Sequence, residues 1–181
     1  GVTLAAAIFV TMRLFAEERQ TGTMVILETS PLSDRQLVLG KYLSGMMFVS
    51  VFALCTLYLP GFILVNGKIS TDEILVGYLG ILLLGSAGVA IGTWASAVSR
   101  FQILAGVLAT VVTVSFIVCW MLAQVIDPPF KAIISFIAFF DRQFQPFQQG
   151  QINSESVFFF LSITFGFLLM ATQSLCARRW R

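Results

Sequence analysis

The charged residues of this chain are gathered into a few short patches, and the gaps between them set the architecture. No Asp, Glu, Lys or Arg occurs from Tyr42 to Gly67, from Ile74 to Ser99, from Phe101 to Ile126, or from Ser156 to Ala177. Each gap exceeds the roughly 20 residues that an α-helix needs to cross about 30 Å of hydrocarbon. In a bilayer the backbone must satisfy its own hydrogen bonds, and a helix does so within one segment. The pattern therefore predicts four transmembrane helices. Gly1 to Met12 is apolar as well, but twelve residues rise only about 18 Å. That stretch reads as the end of a span that begins upstream. It lacks the basic start and the small-residue cleavage site of a signal peptide.

Between the apolar runs lie turn and cap signals. Gly22 is placed to end a helix that carries Glu17 and Glu18 in its last turn. Thr23 to Ser30 has room for about two helical turns, and Pro31 stops them. Ser33-Asp34-Arg35-Gln36 fits a capping box that opens a helix running on through Leu37 and Leu39. The second span is expected to end near Pro60-Gly61 or a few residues later. Thr71, Asp72 and Glu73 suit the start of the next. Ser99-Arg100 is a tight turn. Asp127-Pro128-Pro129 ends the fourth span, and the stretch from there to Glu155 is a long loop. Within that loop Ala132 to Phe140 is apolar but too short to cross, and Gln145 to Gly150 reads as irregular. Asn153 or Ser154 can cap the last span.

Composition agrees with this layout. Hydrophobic residues make up 57% of the chain, charged residues only 11%, and the mean hydropathy is +0.90. A soluble domain carries roughly a quarter charged residues, so lipid must be the solvent. The expected fold class is all-α, a polytopic helical bundle forming a single domain over residues 1–181, read as a fragment whose first span begins upstream. Basic residues give an orientation. Arg13, Arg19, Arg35, Lys41, Arg100, Arg178, Arg179 and Arg181 fall on one side, Lys68, Lys131 and Arg142 on the other. The richer side is expected to be cytoplasmic. The loop 13–41 and the C-terminus then lie inside, and the loop 127–155 outside.

Reactive chemistry is scarce. Histidine is absent, which removes zinc motifs of the H-E-x-x-H kind and serine–histidine catalysis. The four charge-free runs hold no carboxylate for an intramembrane aspartyl site or a proton relay. Gly40-Lys41 and Gly67-Lys68 lack the spacing of a P-loop. Cys55, Cys119 and Cys176 form no metal-binding or redox pair pattern. No catalytic, cofactor or metal site is expected, and no nucleic-acid partner. If ATP drives this protein, another chain must bind it.

Two patterns call for a structural role. Gly88, Gly92 and Ser96 fall four apart, a stripe of small residues that lets helices approach closely. It suits packing within the chain or the lining of a ligand groove. Met24 to Leu27 are four apolar residues in a row within the most polar loop. On a two-turn helix they point in nearly all directions. Either a second surface from the cytoplasm buries what the membrane side cannot, or the cluster is an interfacial helix among lipid headgroups. Glu17 and Glu18, expected at the unfavourable end of the helix dipole, are either a solvated helix end or partners in an inner-gate ion pair.

The stretch from Glu17 to Gly45, "EERQTGTMVILETSPLSDRQLVLGKYLSG", resembles the cytoplasmic loop of type-2 ABC transporter permeases. The shared places are Glu17 and Glu18, Gly22-Thr23, the short apolar helix Met24 to Leu27, Ser30-Pro31, the capped segment Ser33 to Gln36, and Leu39-Gly40-Lys41. The C-terminal stretch, with Phe144, Phe147, Gly150 and Arg178-Arg179-Trp180-Arg181, is similar to the gliding-motility branch, although Gln145 and Gln151 depart from it. The resemblance implies a permease subunit of the bacterial inner membrane. It would pair with a second permease, as homo- or heterodimer, and with cytosolic ATPase subunits. Thr23, Met24, Val25, Ile26, Leu27 and Glu28 would form the coupling helix. Glu17, Glu18, Gly22, Pro31 and Lys41 would be hinge and gate candidates. Export of a substrate is the expected activity. The alternatives are a membrane anchor that docks a cytosolic partner without transport, and an ion-driven carrier.

Overall fold

The computed structural model describes residues 1–23, 33–66, 71–125 and 143–179. Among these residues there are eight helices and no strand: α1 (Val2–Thr11), α2 (Ala16–Thr21), α3 (Asp34–Cys55), α4 (Tyr58–Asn66), α5 (Thr71–Val98), α6 (Gln102–Val125), α7 (Gln145–Gln148) and α8 (Ser154–Arg179). Four stretches are long and apolar enough to cross a membrane: Asp34–Phe62, Asp72–Val98, Gln102–Cys119 and Ser154–Ala177. They coincide with the four predicted spans. Arg19 of α2 contacts Ser99 after α5, and Cys176 of α8 contacts Asp34 of α3. These contacts gather the start of α3 and the ends of α2, α5 and α8 at one end of the bundle, called here the loop end.

The glycine-rich helix α5 is the axis. It packs against α1, α3, α6, α7 and α8, and every residue from Leu84 to Thr93 is buried. Its neighbours reach it through missing side chains. A Cβ at Gly92 would overlap the Thr11 hydroxyl and stand 2.6 Å from Thr11 Cβ. At Gly88 it would meet Leu4 Cδ2 at 2.9 Å and Ala7 Cβ at 3.3 Å. Gly85 receives Val49 of α3, and Gly80 receives the ring of Phe147. In return Val89 of α5 fills the space at Gly45 of α3. The side chains that point away from this axis are apolar and open. Leu43, Met47, Val51 and Leu54 line the free face of α3, and Ile103, Val107 and Val111 that of α6. Phe158, Leu161, Phe165 and Leu169 do the same on α8. Apolar faces of this extent need lipid or another chain against them.

One local expectation holds with an added detail, and one is corrected. The second span ends a few residues past Pro60-Gly61, within the expected range. The helix breaks earlier, at Thr56-Leu57, and resumes as α4 to Asn66. Pro60 has no N–H to bond the Thr56 carbonyl and its ring crowds that group. The chain therefore restarts with Pro60 in the first turn of α4, where the missing donor does no harm. Gln145 to Gly150 is not irregular throughout. Gln145–Gln148 forms one helical turn with Pro146 in it. Phe144 and Phe147 are buried against Leu84 and Phe160, and Gly150 ends the turn at φ 72°. Burial of two aromatic rings supplies the drive that the polar sequence around them hid. Ala132 to Phe140 and Asp127-Pro128-Pro129 lie outside the described residues.

Replacing Gly92 with Leu is expected to force α1 off α5 and lower stability by about 1–3 kcal/mol, the usual cost of overpacking. Gly40→Ala is the control. A Cβ there meets nothing within 4 Å, and alanine in a helix interior is favoured over glycine by about 0.5–1 kcal/mol. Thermal unfolding of the detergent-solubilised protein should fall for the first variant and hold or rise for the second.

Candidate functional site at the loop end

The first helix does not run unbroken to Gly22. The Thr11 hydroxyl donates back to the carbonyls of Ala7 (2.6 Å) and Ile8 (3.2 Å), a bond that bends helices. The chain turns at Met12 to Phe15, and α2 begins at Ala16. A new helix start exposes backbone N–H groups that need acceptors. Here the acceptor comes from another helix. Ser96 Oγ on α5 accepts from the N–H of Phe15 (3.0 Å) and of Ala16 (3.1 Å), and donates to the carbonyl of Met12 at 3.4 Å. Ser96 is fully buried. The third residue of the small stripe is thus a hydrogen-bonding pin as well as a close-packing position.

This break corrects the reading of the two glutamates. Glu17 and Glu18 occupy the first turn of α2, not the last turn of a long helix. Their charges meet the positive end of the helix dipole and are stabilised by it. The sequence could not show this, because the break depends on a serine about 80 residues away.

Three further bonds fix α2. Arg19 donates from Nη1 to the carbonyl of Ser99 (2.8 Å), satisfying an acceptor at the end of α5. Glu18 forms an ion pair with Lys41 of α3. Both side chains are about three-quarters buried, at 24% and 23% exposure. The Lys41 ammonium also lies 5.9 Å from the centre of the Phe15 ring, within cation–π range. Phe15 is fully buried with Val38, Ala97, Ala171 and Leu175. One small patch therefore joins α2, α3, α5 and α8.

The loop leaves and re-enters this patch in defined directions. Gly22 takes φ 74° and ψ 3° and ends α2 in the left-handed conformation, which only glycine adopts without cost. The Thr21 hydroxyl donates to the Glu17 carbonyl (3.0 Å) and the Thr23 hydroxyl to that of Glu18 (3.3 Å). At the return, Ser33 and Gln36 form the expected capping box. Met24, Val25, Ile26, Leu27, Glu28 and Pro31 lie outside the described residues. Arg13, Leu14, Glu17, Glu18, Thr21, Thr23 and Lys41 line an open polar cleft of about 380 Å³ beside the loop. Of the residues singled out from sequence, Glu17, Glu18, Gly22, Thr23, Lys41 and Ser96 come together here. Gly88 and Gly92 sit further along α5, under α1. Sequence reasoning missed Phe15, Arg19 and Ser99.

Residues 2–140 match the family model described as ABC-2 family transporter protein. The match covers 139 of the 181 residues. The chain belongs to the ABC-2 transporter family. No curated relative and no solved structure matches it. Membrane subunits of the ABC-2 family are normally non-catalytic and generally pair with ABC ATPase subunits. The matched region includes the loop and the α2, α3 and α5 parts of the patch that flanks it, while the α8 residues Ala171 and Leu175 lie beyond it.

Two outcomes check the patch. Ser96→Ala leaves two buried N–H groups without an acceptor, at about 1–3 kcal/mol each, and should destabilise α2 more than any surface substitution. Glu18→Lys and Lys41→Glu should each weaken the protein. Together they should restore most of the loss, with a coupling of about 0.5–1 kcal/mol for a partly exposed pair. A double-mutant cycle by thermal unfolding measures it. A double variant no better than the sum of the singles would mean that the pair contributes nothing.

Proposed function

We propose that this chain is the permease subunit of an ATP-driven exporter of the bacterial inner membrane, with ATP hydrolysed by a separate cytosolic subunit. The carrying observation is the Glu18–Lys41 pair. It bridges the two chain ends of the loop, and the same short helix is bound to α5 at Ser96 and Ser99. A movement imposed on the loop is thereby delivered to the bundle axis and to α3 together. The ABC-2 membership supports this reading, because a membrane subunit that binds no ATP needs such a mechanical input.

In this proposal Thr23 to Glu28 forms the coupling helix. Met24, Val25, Ile26 and Leu27 fill a groove on the ATPase while their other side rests on the spans. Gly22 and Pro31 isolate the segment as a short lever. Glu17, Glu18 and Lys41 tie its base. A second permease, identical or different, completes the pathway, and two packings of the halves alternate as ATP is bound and hydrolysed. The cytoplasmic placement of the loop end and the C-terminus rests on the excess of basic residues there. Assignment to the gliding-motility branch rests on Phe144, Phe147, Gly150 and the basic C-terminal residues, all beyond the matched region.

The test uses two charge-bearing pairs: Met24→Glu with Leu27→Glu, and Val25→Glu with Ile26→Glu. At least one pair should abolish recovery of the ATPase with the permease, or leave ATP hydrolysis unlinked to flux in reconstituted vesicles. Membrane insertion should survive in both, since the spans supply their own hydrophobic drive. Full ATPase recovery and full flux in both variants would sink the coupling role and favour an interfacial anchor.

A further inference from the structure

At the loop end α3 and α8 diverge enough to leave a groove between them. Val38 and Leu39 of α3 and Phe165, Leu168, Leu169 and Thr172 of α8 line it, with Arg35 at one end. Its volume is about 250 Å³. Its floor is buried at Val38, while Leu39, Phe165 and Leu169 are between 45% and 65% exposed. The α8 residues from Phe165 to Thr172 advance about 10 Å along the bundle. The groove is therefore a narrow apolar channel parallel to the spans, closed by a cation at the end where charged residues begin.

Among the described residues, that cation is open to a ligand. Arg35 stands in the exposed first turn of α3 and makes no ion pair among the described residues. Its acidic neighbour Asp34 accepts a hydrogen bond from Cys176 Sγ of α8 at 3.1 Å, which holds the two helices together just beyond the groove. Lys41, one turn and a half further on, is already paired with Glu18. An apolar channel with a guanidinium at its headgroup-level mouth complements one kind of molecule. We propose that this groove binds an anionic phospholipid, with the phosphate on Arg35 and one acyl chain along Val38, Leu39, Phe165, Leu168 and Leu169. Arginine binds phosphate through two parallel N–H donors, and basic pockets between spans are suited to anionic headgroups. A groove below the roughly 300–1,000 Å³ of drug-sized pockets suits part of a single chain. Arg100 borders another apolar surface, but that one is lined only by residues 98–111. It lacks a second, sequence-distant helix as its opposite wall. The inference is independent of how the loop acts.

The full protein, purified and delipidated, is titrated with phosphatidylglycerol or phosphatidylcholine, and retained lipid is counted by native mass spectrometry. Phosphatidylglycerol should be retained in preference. Arg35→Gln should reduce its retention about fivefold, the weight of one basic residue at an anionic surface. Arg35 is exposed, so folding should be unaffected. Leu169→Trp, which fills the channel, should lower retention of both lipids, whereas Arg100→Gln should behave as wild type. Equal retention of the two lipids would overturn the proposal. So would an equal loss with Arg100→Gln, which would reveal only a generally basic surface. A lipid-free dimer cross-linked through α3 and α8 would also overturn it, by showing that a second copy fills the groove.

Discussion

Everything at the loop end depends on how closely α1 can approach α5. Lipid tails are as apolar as leucine, so burying leucine against another helix gains little in a membrane, and association rests on close contact and interhelical hydrogen bonds. The stripe Gly88, Gly92, Ser96 supplies both. Gly88 admits Leu4 and Ala7, Gly92 admits Thr11, and Ser96 is then near enough to bond three backbone groups of the turn beyond. A single side chain at Gly92 would stand in the place of Thr11. The distance that makes the Ser96 bonds possible would be lost with it.

The magnitudes rank the contacts in the patch. A partly exposed ion pair contributes about 0.2–1 kcal/mol. Buried donors left without an acceptor cost about 1–3 kcal/mol each, and Ser96 serves two of them. Ser96 therefore holds α2 in place, and Glu18–Lys41 sets which way it faces. Thr11 takes part in both halves of this arrangement. Its hydroxyl bends the end of α1 by bonding back to Ala7 and Ile8, and the bend presents the Phe15 and Ala16 N–H groups to Ser96.

The spans, the tight turn at Ser99-Arg100, the capping box at Ser33 and the left-handed Gly22 were all legible in the sequence. Each is set by a local signal: an uncharged run, a Ser-x-x-Gln spacing, a glycine after a polar turn. The break before α2 was not legible, because nothing between Met12 and Ala16 marks it. No proline or glycine stands there, and the acceptor that completes the new helix start is a hydroxyl on another span. For the same reason the glutamates were assigned to the wrong end of their helix. The turn at α7 was hidden in another way. Half of its residues are glutamine, and the seat at Gly80 shows why Phe147 is buried there. The Thr56-Leu57 break could have been read more closely, since a proline perturbs the helix four residues before itself.

The division of residue sizes follows from one helix touching five others. An axis helix with large side chains would hold its neighbours apart, and their backbones could not share hydrogen bonds with it. Alanine, glycine, serine and threonine make up much of α5 from Gly85 to Ala97, so each neighbour brings the bulk: Leu4, Val49, Phe147, Phe160. Bulk is then free to vary on the outside, where lipid tolerates any apolar shape, while the axis tolerates almost none. This asymmetry lets the helices at the loop end pack closely. The joins at Ser96 on α5 and at Ser99 just past its end lie within one turn of each other, and Lys41 meets Glu18 between the residues that make them. A short helix held at three points on two spans is tied to the positions of both.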